Sequence, residues 1–147
     1  MEKDSVKQIW QDFRKQNLDT PNEYVAWAFG DSKEMANTLA RLVLEEKKTA
    51  TASNYALYEL HHEELPKVGL INILLDGDEE AVAILRTTAV DVIPFDQVTE
   101  THAYLEGEGD RSLAYWRNVH EEFLQKNWMR LVGNFINKCL SCVSVSR

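Results

Sequence analysis

Two runs rich in Val, Ile and Leu, residues 68–75 and 81–93, flank Asp76-Gly77-Asp78-Glu79-Glu80, and this arrangement constrains the chain more than any other feature. Aliphatic runs joined by an acidic, glycine-containing turn predict an antiparallel hairpin. The second run is long enough to bend around a barrel.

The remaining segments carry helical and strand periodicities in turn. Val6, Ile9, Trp10 and Phe13 fall at i, i+3, i+4 and i+7, which predicts a helix with one buried stripe ending near Asn17. Thr20-Pro21-Asn22-Glu23 has the form of a capping box, which predicts a short helix stopped at Gly30. Asp31-Ser32-Lys33-Glu34 repeats the start signal, and Met35, Leu39, Leu42 and Val43 give a helix running to about Glu46. Tyr24, Trp27 and Phe29 just before it suit a core better than a base-stacking platform. Thr49-Ala50-Thr51-Ala52-Ser53 alternates as a strand with one polar face. Pro94-Phe95-Asp96 closes the long strand, and Thr99 starts a short helix through Leu105. Gly107-Glu108-Gly109-Asp110 is a loop, with Asp110 as N-cap of a last helix that places Leu113, Trp116, His120 and Phe123 on one face. The class is α+β, a single domain with N-terminal helices and a helix after the acidic loop.

Composition narrows the functions open to such a domain. Hydrophobic residues make up 44% of 147 positions, enough for a real core. The longest apolar stretches are interrupted and fall well short of the roughly 20 residues that span a bilayer. Met1-Glu2-Lys3-Asp4-Ser5 lacks the basic start and apolar run of a secretory signal, so the expected location is cytoplasmic. Sixteen Lys and Arg against 24 Asp and Glu give a net charge of −8, which argues against strong non-specific binding to duplex nucleic acid. A local basic pocket for a nucleotide or a short single strand is compatible with that balance. Cys139 and Cys142 form a C-x-x-C pair without a second cysteine pair, and the histidines are scattered, so no zinc set is expected.

Four features bear on chemistry. Lys48 opens a strand beside Thr49 and Thr51, which puts an ammonium and hydroxyls on one polar edge; this suits phosphate binding, base chemistry or a solvated junction. Arg86 is a lone arginine in a strand. Glu106, Glu108 and Asp110 alternate with glycine, so the backbone can turn several carboxylates toward one point for a divalent cation or a proton transfer, or can complement the next helix N-terminus. Asp76 and Asp78 fit a hairpin turn.

The stretches around Lys48 and Glu106 together resemble the ASCH family of the PUA-like superfamily. Its G-x-K-x-x-T motif reads Glu46-Lys47-Lys48-Thr49-Ala50-Thr51 here, with Glu46 in place of glycine. Leu75-Asp76-Gly77-Asp78, Ile84-Leu85-Arg86-Thr87-Thr88, Pro94-Phe95-Asp96 and the run from Glu106 to Arg117 extend the resemblance, to small bacterial members, over roughly residues 20–126. It implies a PUA-like β-barrel with a cleft that takes RNA or a nucleoside. Small members of the wider family hydrolyse N(4)-acetylcytidine to cytidine and acetate with a Lys, a Thr and a Glu. By motif these are Lys48, Thr51 and Glu106, the last after a matching His102-Ala103. The implied roles are Thr51 as nucleophile, Lys48 as its base or activator, and Glu106 as proton shuttle to the leaving amine. Arg86 would orient the base, and Thr49, Ser53, Asp110, Arg111 and Ser112 would surround the substrate. No cofactor is implied by this amidohydrolase reading. The alternatives are an RNA-binding module, or a single-strand ribonuclease in which a divalent metal sits on Glu106, Glu108 and Asp110.

The tail fits least well. Residues 128–147 lack strand-like alternation until Cys139, and back-translation with one consistent codon choice gives a family-like ending in another frame. The expectation is a frameshift near Asn127 and a barrel without its native last strand, leaving an unpaired edge.

Overall fold

The computed structural model describes residues 3–20, 22–30, 32–60, 62–126 and 134–145. In chain order these form α1 (Asp4–Gln16), β1 (Val25–Ala28), α2 (Lys33–Leu44), β2 (Ala50–Asn54), α3 (Tyr55–Leu60), β3 (Ile71–Leu75), β4 (Ala81–Pro94), a 3₁₀ turn (Phe95–Gln97), α4 (Glu100–Glu106), α5 (Leu113–Lys126) and β5 (Asn134–Val145). One curled sheet runs in the order β1-β3-β4-β5-β2, parallel between β1 and β3 and antiparallel elsewhere.

The hairpin of β3 and β4 forms as its composition predicts. Asp76 accepts from the amides of Asp78 and Glu80, and Lys33 pairs with Asp78 at 2.6 Å, so these carboxylates hold the turn against α2. Register shifts at Ile84/Leu85 and Thr87/Ala89 bend β4, letting one long strand serve both halves of a half-barrel. The two faces of β3 divide the core. Ile71 and Ile73 pack with Ile84 under Val6, Ile9, Trp10 and Phe13 of α1. Leu74 packs with Leu85, Leu140 and Phe29 under Leu39, Ala40 and Val43 of α2. A third cluster, Phe95, Val98, Ala103, Trp116 and Phe135, seats α4 and α5.

Three sequence-based expectations need correction. The segment after Thr20 is a strand rather than a helix: residues 25–28 pair with residues 72–75, and the Thr20 hydroxyl donates back to the Asn17 carbonyl. Pro21 and Asp31, parts of the two expected start signals, lie outside the described residues. Ser32 alone is the observed cap of α2, accepting from the Met35 amide. At α5 the cap is Ser112, whose hydroxyl accepts from the Tyr115 amide, while Asp110 accepts from the Ser112 amide one step earlier. Phe123, expected on the buried face of α5, has a side chain outside the described residues.

The third correction concerns the tail. β5 is no missing strand: it lies between β4 and β2, with Phe135, Ile136 and Leu140 buried. Its simple alternation is obscured because consecutive residues 135–138 are all buried, inside a bent sheet with cover on both faces. Residues 127–133, where the frame was expected to shift, lie outside the described residues. Cys139 and Cys142 are free thiols in this strand.

Candidate active site

α2 ends in a Schellman motif: the Lys47 amide donates to the Leu42 carbonyl at 2.9 Å and the Glu46 amide to Val43 at 3.0 Å. Glu46, which replaces the motif glycine, takes the left-handed conformation that glycine favours, with φ 63°. The chain thus turns sharply into β2 and drives Lys48 inward. From the other side α4, capped by the Thr99 hydroxyl, ends at Gly107 with φ 72°. A Cβ on Gly107 would lie 2.2 Å from the Lys47 carbonyl oxygen, so only glycine permits this approach. The Thr49 amide donates to the Leu105 carbonyl at 2.7 Å, locking the two segments together.

The Lys48 side chain, 1% exposed, lies between two carboxylates: its Nζ is 2.9 Å from Glu108 Oε2 and 3.5 Å from Glu106 Oε1. Its ammonium also faces the Phe29 ring at 5.1 Å. Glu106 is buried, and its Oε2 accepts from His102 Nε2 and Trp116 Nε1, both at 2.5 Å. Burial alone pushes this carboxyl up, but the His102 hydrogen bond and the Lys48 charge, with His120 and His102 adding charge, bring it down to about 2. Glu106 is therefore an ionised carboxylate with both oxygens engaged. Trp116 in turn stacks on His120 at 4.0 Å, and His120 Nδ1 donates to the Trp116 carbonyl.

Lys48, Glu106 and His120 line a cavity of about 330 Å³ together with Thr51, Ala52, Phe29 and Glu108. Lys48, Thr51 and Glu106 are thus brought to one space. Ser53 lines a larger adjoining groove of about 890 Å³, which shares Phe29, Gly30, Thr51 and Ala52 with the smaller cavity. This groove lies between the edge strands β1 and β2, with Asn72 and Lys138 also on its lining. Asn72 bonds Thr87 Oγ1 and the Leu70 and Leu85 carbonyls, and accepts from the Trp27 indole, so it fixes the ring that forms part of the groove wall.

Other expected site residues take different places. Arg86 is exposed and opposite Ile71, on the sheet face away from Asn72, because side chains alternate along the strand; it does not reach the cavity. Arg111 braces the site from behind, donating to the Tyr104 and Lys47 carbonyls with its guanidinium 3.7 Å over the Tyr104 ring. Thr49 acts through its backbone, Ser112 caps α5, and Asp110 is exposed. Two of the acidic residues, Glu106 and Glu108, meet at Lys48, whereas Asp110 does not join them and faces the Ser112 amide. His102, Trp116, His120, Asn72 and Lys138 were not foreseen as site residues. The i, i+4 spacings of His102 with Glu106 and of Trp116 with His120 were visible signals.

Among the described residues, no helix is long and apolar enough to cross a membrane. No functionally curated protein matches the chain. A DUF984 protein from Enterococcus faecalis is 33% identical over 97% of this chain and 90% of its own, with a TM-score of 0.84. The ASCH domain from Lactobacillus crispatus has a TM-score of 0.88 over 97% of this chain and 96% of its own; at 24% identity it establishes the likeness of fold alone. The ASCH domain model matches residues 25–144, from the first strand to the end of β5. With a half-barrel sheet of the PUA-like kind and most of its length inside that match, the chain belongs to the ASCH domain family.

Proposed function

We propose that the chain hydrolyses the exocyclic amide of an N(4)-acylated cytidine, with N(4)-acetylcytidine as the simplest substrate. The observation that carries this reading is the single cavity lined by Lys48, Thr51, Glu106 and Glu108, in the size range of small-molecule sites. The Thr51 hydroxyl attacks the acyl carbon, its Oγ–C bond forms, and the C–N bond to the base breaks. Lys48 stabilises the oxyanion and relays the Thr51 proton. Glu106, an ionised carboxylate, holds Lys48 in place, and the Thr51 proton passes through Lys48 to the departing nitrogen, so cytidine leaves as a neutral amine. Water then cleaves the Thr51 ester, releasing acetate and restoring the hydroxyl.

The metal-dependent ribonuclease reading calls for Glu106, Glu108 and Asp110 at one point, whereas here an ammonium, Lys48, lies between Glu106 and Glu108, and Asp110 turns to the Ser112 amide. That geometry favours the amidohydrolase. Cytidine release from N(4)-acetylcytidine should fall on the order of a thousandfold in Thr51→Ala, with the variant still folded. Full activity in that variant would remove Thr51 from the chemistry and sink the proposal.

A further inference from the structure

The larger groove holds a cation that the hydrolytic site does not use. Lys138 of β5 is 8% exposed and lines the groove, with its Nζ 4.7 Å over the Trp27 ring. Its register partner across the sheet is Thr51, so both side chains stand on the same face. Lys48, the other buried lysine, sits between two carboxylates; among the described residues no carboxylate pairs with Lys138. Burying an unpaired ammonium is unfavourable, and burial accordingly lowers this amine to about 8. An anion arriving from the groove would supply the missing partner.

The walls restrict what that anion is attached to. Tyr24, Trp27 and Tyr58 line the groove and give it an aromatic wall. The remaining charged groups on the lining are Glu23, Glu63, Glu64 and Lys67. Three carboxylates against two lysines repel a run of phosphates, so the lining suits one anionic group and disfavours an RNA strand.

We propose that Lys138 seats the phosphate of a nucleoside monophosphate whose ring system lies along the aromatic wall. The groove joins the smaller cavity through Phe29, Gly30, Thr51 and Ala52, so a ligand held there reaches Thr51. The nucleoside identity rests on the hydrolytic reading; on that basis the substrate is an acylated cytidine monophosphate rather than the free nucleoside.

Calorimetric titration of the full chain with cytidine 5′-monophosphate and with cytidine tests the inference. The monophosphate should bind at least about tenfold tighter. Because the bound anion favours the ammonium, binding near pH 8 should take up roughly half a proton, read from the enthalpy in two buffers, and cytidine should take up none. Lys138→Met should lose the preference and the uptake, and Lys138→Arg should keep the preference. Equal affinity for the two ligands, no binding of either, or a preference retained in Lys138→Met would overturn the inference. The wild-type comparison decides the matter even if a variant fails to fold. Acetylcytidine hydrolysis is measured separately: its absence with the monophosphate preference intact would remove the hydrolytic reading and leave the Lys138 site standing.

Discussion

At the scale of single residues, two buried charges set opposite pH dependences. Glu106 is ionised inside the protein because His102, Trp116 and Lys48 supply hydrogen bonds and charge that outweigh its desolvation. Its carboxyl falls from 4.5 to about 2, so its contribution is fully present above pH 4.5 and is lost as pH falls toward 2. That contribution is on the order of 3 kcal/mol. Denaturant unfolding followed from pH 6 down to 2 should show this loss, and Glu106→Gln should be less stable at pH 6 and flatter below it. Lys138 works in the other direction. Its amine is lowered from 10.5 to about 8, so the folded state gives up its proton first and stability rises as pH climbs between these values. Lys138→Met should therefore gain on the order of 3 kcal/mol at pH 7, and the alkaline rise of the wild type should vanish. Unchanged stability in that variant would mean that the ammonium is not strained by its burial.

At the scale of elements, the entrance to β2 shows how a motif survives a substitution. Glu46 occupies the C′ position of the Schellman motif with φ 63°, where a side chain costs about 1 kcal/mol that glycine would avoid in part through its own conformational freedom. Glu46→Gly should leave thermal stability unchanged or raise it slightly, and Glu46→Val should lower it by about 1–2 kcal/mol. Elements whose signals are local were legible in the sequence: the α1 stripe, the Thr99 cap, and the β3–β4 hairpin with its Asp76 turn. β1 was not, because four residues are assigned by their partner. Its parallel pairing with β3 and the Trp27–Asn72 bond outweigh the capping signal at Thr20. β5 was obscured for a related reason, since a strand covered on both faces loses the alternation that marks an exposed one. In the site, Lys48, Thr51 and Glu106 were legible through the motif that carries them. Lys138 was not, because its meaning depends on Thr51 and Trp27, which only the curled sheet brings near it.

At the scale of the whole molecule, the curl of one sheet does the positioning. Its two edge strands leave a groove between them, and the junction of α2 with β2 meets the end of α4 at the inner end of a smaller cavity. A net charge of −8 argues against a broad nucleic-acid surface, and two lysines, Lys48 and Lys138, are buried. On the proposed reading, Lys48, Thr51 and Glu106 form one hydrolytic site in that cavity. The most direct measurement is cytidine release from N(4)-acetylcytidine by the purified chain, with and without chelator, beside a Lys48→Ala control. Release should persist in chelator and be lost in Lys48→Ala. No release from demonstrably folded protein, or release that Lys48→Ala retains in full, would contradict that reading.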